Sequence, residues 1–483
     1  MNEKPERIGI YRVREGTTGH TFLVLGAGLS GLSCGIGLLE AGHDVTILEK
    51  EQSAGGLCRS FRANGFTFDY GPHFLFGPGI KTALKENIVP SFDIPLINRN
   101  GERILARDRL FKFPFEPKNI LKHMEKTRML PVLIDLVASH SFRKAVPASN
   151  LEEWIINAVG NKIYDYICLS DYVKKLYGLS PREVSPKWGE QKLKFLSRWR
   201  NNSLLVMALN ALKEDKKLQK QIVSYPPSGI DAIPGKLAER YAELGGKIIF
   251  SSPVAAIRER HDCVEVTGLN NRTFSAEYLI SSIPLTELLN NTSSGSDKIN
   301  SGLIMQLRHR KTVFFLLYFN APRVMNYQCI YFTQPDYLFR RVTEFRNLSS
   351  SMSPAGKSSL CVEVTCNEKE VIDTSLDKVH ALLKQLDKSG HFNIKDFSHY
   401  DILDVPNTYP VYTVDYMDVI KKALDCLKSY KRIISFGRQG LFFYNTMNNS
   451  IMQGYALGQS FGSKHDFSCI KDDHYNNHAA LLN

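Results

Sequence analysis

The sequence predicts an α/β protein with three parts: a discontinuous Rossmann-like dinucleotide-binding domain, an inserted helical domain, and a substrate domain on a mainly antiparallel β-sheet. Three observations predict it. Residues 21–50, "TFLVLGAGLSGLSCGIGLLEAGHDVTILEK", read as strand, tight turn, helix and strand. Residues 81–223 carry a mostly helical pattern, as in "NLEEWIINAVGNKIYDYICLSDYVKKLYG". Residues 310–366 hold apolar runs such as "KTVFFLLYFN" and "SSLCVEVTC", which suit a sheet.

The first unit is the most specific. Phe22–Leu25 is a continuous apolar run, as a strand covered on both faces requires. Leu32, Gly35, Ile36 and Leu39 follow the stripe of a helix, and Gly42 stands at its C-cap. Val45–Leu48 is the second strand. Between strand and helix lies Gly26-Ala27-Gly28-Leu29-Ser30-Gly31. In such a GxGxxG, Gly26 permits the tight turn, Gly28 lets the backbone approach a pyrophosphate, and Gly31 lets helix and strand pack closely. The helix start at Leu29 and Ser30 supplies free N–H groups and partial positive charge. Glu49, with Lys50 beside it, ends the second strand, where an acid can accept hydrogen bonds from a ribose. "SAGGLCRSFRANGFTFDYGPHFLF" then brings Gly55, Gly56, Leu57 and Arg59, a strand at Phe66–Asp69, and the turn Gly71-Pro72-His73. A second glycine loop with an arginine suits a cofactor longer than a nicotinamide dinucleotide.

Later segments return to this domain. "YPPSGIDAIPGKLAERYAELGGKIIFSSPVAAI" reads as loop, helix and strand, and "AEYLISSIP" as a further strand. Near the end, the strand Ile433–Phe436 stops at Gly437 and is followed by Arg438. The expected domains are therefore 20–80 with 224–290 and 428–464 for the dinucleotide, 81–223 for the helical insert, and 291–427 for the sheet. Residues 1–19 and 465–483 read as polar termini.

With 43% apolar residues among 483, the chain can bury a large core. Its formal charge of +12 favours anionic partners, but Lys and Arg are spread without a dense block, which argues against nucleic acid. Nine cysteines show no zinc spacing, so no metal is expected, and reduced thiols point to the cytoplasm. No apolar run approaches the length of a transmembrane helix, and the start has no signal-peptide core.

These motifs resemble the FAD-binding start of the flavin amine-oxidase-like superfamily, which includes monoamine oxidases, protoporphyrinogen oxidases, phytoene desaturases and UDP-galactopyranose mutases. The resemblance implies FAD, with Glu49 on the adenosine ribose, Gly55, Gly56, Leu57 and Arg59 along the pyrophosphate and flavin, and Val254 at the adenine. It places Gly71, Pro72 and His73, together with Gly437, Arg438 and Met447, against the flavin. Several stretches resemble the mutase branch most. "DYGPHFLF" is similar to a His-x-x-His segment with His73 first and Phe76 in the second place. "DYVKKLYGLSPREVSPKW" resembles a further mutase segment, and "YFTQPDYLFRRVTEF" one whose arginine, here Arg341, reaches a substrate diphosphate. "NTYPV" and "FGRQGLFFYNT" supply Tyr409, Arg438 and Tyr444, with Thr446 where that branch carries an acid.

By this resemblance His73, Arg341 and Arg438 are catalytic, and Arg341, Tyr409, Arg438 and Tyr444 bind substrate. The expected activity is a pyranose–furanose rearrangement of a sugar nucleotide or related phosphorylated sugar through N5 of reduced flavin. Arginine suits a departing diphosphate because its planar fork holds phosphate bidentately. The alternative is an amine-oxidase- or protoporphyrinogen-oxidase-like oxidoreductase that abstracts a hydride. Either needs an external reductant or electron acceptor, and homo-oligomerisation stays open. Read without the resemblance, Arg438 is most often an ion-paired residue, Tyr444 a core aromatic and His73 a packed histidine.

Overall fold

Five short strands make the sheet that anchors the molecule, in the order Lys247–Ile249, Asp44–Leu48, Thr21–Leu25, Tyr278–Ser281, Ile433–Ser435, all parallel. In the computed structural model, residues 10–12, 19–76, 84–86, 88–90, 93–114, 119–120, 123–142, 147–193, 196, 222–292, 301–463 and 466–482 are described. Alternate side chains of the strand Thr21–Leu25 enter different cores. Phe22 and Val24 join Leu32 and Ile36 on one face, while Leu23 and Leu25 join Leu279 and Ile433 on the other. This double burial accounts for the unbroken apolar run.

The helix Leu29–Glu40 lies across the C-terminal helix Met447–Ser463 at backbone contact. A Cβ on Gly37 would stand 2.6 Å from the Tyr455 carbonyl oxygen, and one on Gly458 would collide with the Cys34 carbonyl. Met447–Ser463 follows directly on the segment that carries Arg438 and Tyr444, so this crossing holds that segment over the glycine loop.

A seven-stranded sheet forms the second body, in the order Phe397–Pro410, His309–Phe319, Ser358–Asn367, Arg341–Thr343, Cys329–Phe332, Glu102–Ala106, Arg109–Lys112. All its pairs are antiparallel except Cys329–Phe332 with Glu102–Ala106. The last two strands correct the helical reading of 81–223. "RILARDRLFK" is two short apolar runs about a turn at Arg107-Asp108, and its buried Ile104 and Phe111 pair at the sheet edge. Helices do occupy Lys126–Phe142, Leu151–Val159, Asn161–Tyr166, Leu169–Tyr177 and Pro186–Lys192. Residues 197–221 of that stretch lie outside the described residues.

The C-terminal reading is corrected too. Phe467–Leu482 is a helix, not a loose polar tail. Tyr475 is buried and its hydroxyl accepts the Ser435 N–H at 3.0 Å. Lys471 is buried, and its Nζ donates to the carbonyls of Leu427 (2.8 Å) and Tyr430 at the end of the helix Tyr416–Lys428. Polar side chains here find buried backbone partners, which a composition reading cannot see. Of the expected polar N-terminus, residues 1–9 and 13–18 lie outside the described residues, while Ile10–Arg12 pairs in parallel with Thr273–Ala276. Among the described residues no helix is long and apolar enough to cross a membrane.

Lys471→Met removes the donor that satisfies two helix-end carbonyls. It is expected to cost about 1–3 kcal/mol of unfolding free energy, read as a lower urea midpoint. A second expectation concerns pH. Burial holds His73, His309, His474 and His478 down to about 4. In an unfolded chain they titrate near ~6.5, so the unfolded state binds more protons and stability falls as pH drops from ~6.5 toward 4. Asp69 works the other way, because burial pushes its carboxyl up to about 6 and its native form gains on acidification. Burial also raises the carboxyls of Glu102, Glu344 and Glu368 and lowers the imidazoles of His43 and His391. Unfolded imidazoles titrate near ~6.5 and unfolded carboxyls near ~4, so the histidines dominate between pH 7 and 5. The urea midpoint should be lower at pH 5 than at pH 7, and an equal or higher midpoint at pH 5 would contradict this.

Candidate active site

A cleft of about 250 Å³ opens at the C-terminal ends of the parallel strands. Gly26, Gly28, Leu29 and Ser30 line one wall; Gly55, Gly56, Leu57 and Arg59 line the facing loop. Glu49, Lys50, Val254 and Arg438 line the cleft as well. The two glycine loops are joined by the Gly55 N–H, which donates to the Ala27 carbonyl at 2.8 Å. A Cβ on Gly28 would point into space with nothing within 4 Å. A Cβ on Gly31 would overlap the Gly26 carbonyl, so Gly31 serves helix–strand packing and does not line the cleft. The helix that starts at Leu29 has no side-chain cap and no acid in its first turn, so its N–H groups stay available to an anion.

Glu49 is buried at the strand end. Its carboxylate accepts the N–H of Ala27 at 2.6 Å and of Glu51 at 3.0 Å, which leaves lone pairs toward the cleft it lines. Lys50 is half-exposed against Glu287 at 3.6 Å, a weak pair. Arg59 is held by the Gly56 carbonyl (3.0 Å) and Glu51 (3.1 Å).

Arg438 stands at the inner end of the cleft. Its guanidinium donates to the carbonyls of Thr408 (2.9 Å) and Asn445 (3.1 Å), while its buried Nε has no partner among the described residues. Among them it also has no carboxylate partner, and burial lowers its pKa. Such a cation is an anion site by its chemistry. The open cradle at Gly28, the uncapped helix start, the lone pairs of Glu49 and this guanidinium together fit a flavin dinucleotide.

A second cavity, of about 170 Å³, lies between the seven-stranded sheet and the inserted helices. Arg341, Tyr409 and Tyr444 line it, as do Arg340 and Lys192, which sequence reasoning missed. Arg341 faces Glu363 directly across neighbouring strands. It pairs bidentately, Nε to Oε1 at 2.5 Å and Nη2 to Oε2 at 2.9 Å. Arg340 also reaches Glu363 (2.5 Å) and donates to the Tyr409 hydroxyl at 2.6 Å. Two arginines on one fully buried carboxylate leave one positive charge over. Tyr409 stacks on Tyr444 with ring centroids 6.0 Å apart. Tyr444 in turn lies between two cations, Arg438 Cζ at 3.9 Å and Lys192 Nζ at 2.6 Å from its centroid. The ring thus joins the cleft to the second cavity.

The remaining predicted residues fall outside both linings. His73 donates from Nδ1 to the Gly71 carbonyl (2.8 Å), which leaves Nε2 as an acceptor, and burial beside Arg341 keeps the ring neutral. A Cβ on Gly71 would stand 2.8 Å from Arg341 Nη2, so this turn abuts the arginine pair. Pro72 is half-buried in the same turn. Gly437 packs on Ser30, and Met447 is buried in the core at the start of its helix. Phe76 is 44% exposed. Thr446 caps the helix Met447–Ser463, accepting the Asn449 N–H at 3.2 Å, a role an acid could equally fill. The "RR" at 340–341 was a signal for Arg340, whereas nothing in the sequence marks Glu363 or Lys192.

The family model for flavin containing amine oxidoreductases matches residues 29–300, over half of the chain. A 4,4'-diapophytoene desaturase of Staphylococcus haemolyticus is 40% identical over 70 residues, a match that spans 14% of this chain and 14% of the desaturase. Among solved structures, a reduced UDP-galactopyranose mutase superimposes with a TM-score of 0.78 at 22% identity, covering 96% of this chain and 99% of the other. A protein of Exiguobacterium sp. 255-15 assigned as a protoporphyrinogen oxidase gives 0.72 at 18% identity, covering 93% and 100%. At these identities the structural likeness speaks to fold alone, and the family match carries the assignment. The chain belongs to the flavin containing amine oxidoreductase family.

Proposed function

We propose that this enzyme rearranges an anionic small molecule, a nucleoside-diphosphate sugar or related phosphorylated sugar, with reduced flavin and no net redox change. One observation carries the reading: two cations, Arg438 and Lys192, both lie close over the Tyr444 ring, Arg438 lining the cofactor cleft and Lys192 the second cavity. A positive site suits a phosphorylated substrate and would repel the ammonium of an amine. The flavin, when bound, supplies an electron-rich centre able to bond carbon.

The chain's own groups bind and orient around it. Gly26, Gly28 and the helix start at Leu29 would hold the pyrophosphate, Glu49 the ribose, and Arg59 and Arg438 further oxygens of the cofactor. Arg340, set by Glu363 and Tyr409, would hold substrate phosphate as it leaves the sugar. Arg341 pairs with Glu363 through Nε and Nη2 and lines the same cavity, so its remaining donors would share the diphosphate with Arg340. Neutral His73 would accept a hydrogen bond at Nε2. Burial pushes Tyr172 and Tyr331 up, so both stay neutral and can donate to phosphate oxygens.

A second reading, flavin oxidoreductase, is favoured by Phe76. That residue is exposed and gives no imidazole where the mutase branch would carry one. Anaerobic turnover separates the two. With dithionite-reduced enzyme and a panel of sugar nucleotides and sugar phosphates, isomer should form only while the flavin is reduced. Turnover by oxidised enzyme with peroxide release, and none under reduction, would refute the first reading. Arg340→Met should weaken diphosphate binding about tenfold or more at unchanged flavin content.

The cleft assignment has its own test. Gly28→Ala should fold with near-native stability but lose flavin, because its methyl enters the cofactor's space. Gly31→Ala should lower stability itself, because its methyl meets the Gly26 carbonyl. Flavin content and thermal midpoint distinguish them, and a Gly28→Ala protein with full flavin would count against the cradle.

A further inference from the structure

The helix Lys126–Phe142 turns an apolar face outward. Leu130 is 67% exposed, Ile134 62% and Leu133 40%, with Pro131 and Ala138 exposed beside them. At about 100° per residue these five fall on one side of the helix. The opposite side carries Val132, which is buried in the core, and Asp135, whose carboxylate accepts the Lys162 N–H at 2.8 Å. That side packs on Leu151–Val159 and Asn161–Tyr166, and an aliphatic stripe is left to water. A single exposed leucine is ordinary, whereas a contiguous stripe marks an interaction surface.

The start of this helix is basic. Arg128 lies two residues before Leu130. The turn Arg107-Asp108, both residues at positive φ, joins Glu102–Ala106 to Arg109–Lys112 and carries two more arginines into the same corner. Arg107 Cζ stands 5.8 Å and Arg128 Cζ 6.0 Å from the Tyr166 ring centroid, and the charge of Arg109 also bears on the Tyr166 hydroxyl. All three arginines are exposed. Arg128 pairs with Glu125 at 2.7 Å. Arg107 and Arg109 donate to the carbonyls of Tyr166 (3.2 Å) and His123 (2.7 Å), and among the described residues neither has a carboxylate partner. Tyr166 itself is 3% exposed, and its hydroxyl has no partner among the described residues. Residues 107–128 hold seven Lys and Arg against three Asp and Glu, so the corner keeps a positive excess.

From this juxtaposition we infer that the outer face of Lys126–Phe142 docks the chain on the surface of an anionic phospholipid membrane. Leu130, Leu133 and Ile134 enter the boundary between headgroups and acyl chains, where leaving water is favourable. Arg107, Arg109 and Arg128 meet lipid phosphates, whose oxygens suit the guanidinium fork. Charge complementarity selects this occupant. A second copy of the chain would bring the same stripe with the same positive excess and no counter-charge, whereas an anionic bilayer supplies both an apolar layer and negative charge. The helix lies on the surface and does not cross it, since among the described residues none is long and apolar enough to span. The inference stands apart from the identity of the substrate.

Co-sedimentation of the full chain with lipid vesicles tests it. Vesicles of phosphatidylcholine with about one-third phosphatidylserine should bind the chain about tenfold or more tightly than phosphatidylcholine alone, and added salt should release it. Leu130→Gln combined with Ile134→Gln changes only exposed side chains, so the urea midpoint should hold while vesicle binding falls about tenfold or more. Arg107→Gln combined with Arg109→Gln should weaken binding to the anionic vesicles by about tenfold or more and remove most of their advantage over phosphatidylcholine. Val371→Ser, at a side chain 91% exposed in the loop before the helix Leu376–Lys388, should leave binding unchanged. No binding to the anionic vesicles overturns the proposal, and so does full binding by either double variant or an equal loss in Val371→Ser. A chain that dimerises in solution, becomes monomeric with Leu130→Gln and Ile134→Gln, and ignores vesicles assigns the face to a second copy and overturns it as well.

Discussion

The helix crossing between Leu29–Glu40 and Met447–Ser463 is the constraint on which the site depends. It brings two backbones together where Gly37 and Gly458 carry no side chain, and any Cβ there would meet a carbonyl oxygen. The first helix presents the glycine loop, and the second begins just after Tyr444. Close contact therefore sets where Arg438 and Tyr444 stand relative to Gly28. A wider crossing would move the cation away from the cofactor's space. Interior packing is dense enough that such a shift would pass directly to the site.

Buried charge is handled in two contrasting ways. Glu363 takes both Arg340 and Arg341, and Thr365 adds a bond to Arg340 Nε at 2.8 Å. Hydrogen bonding of this quality offsets much of the desolvation cost of three ions. Arg438 is instead held by backbone carbonyls with its charge uncompensated and its Nε unpartnered. The first arrangement makes a rigid scaffold with one surplus charge. The second makes a place where an anion is stabilising. Tyr444 lies near both, with Arg438 and Lys192 close over its ring and its backbone N–H donating to the Tyr412 hydroxyl (2.5 Å).

The cofactor half of the site was legible because each residue there answers a local geometric demand. The glycine loop, the apolar strand and Glu49 fall within one strand–helix–strand unit, and their spacing alone positions them. The substrate half was legible only by resemblance, and the structure altered it. Arg341, expected to meet a diphosphate, lines the second cavity and shares the Glu363 carboxylate with Arg340, which also reaches the tyrosine. Thr446 looked like a missing acid and is a helix cap. The tail read as a polar terminus and is a helix whose Lys471 closes the end of another.

By itself the sequence determined the parallel sheet, the dinucleotide loop and the acid that follows it, because periods of two and 3.6 and glycine's freedom act over a few residues. Tertiary structure alone decided the partners of the charged groups. Glu363 meets Arg341 because two strands pair in one register, and a slip of one residue would turn both side chains to the other face. Lys192 meets Tyr444 because a helix from the middle of the chain packs against a segment some 250 residues later. Such contacts depend on how separate elements settle on a shared core, and no local pattern records that.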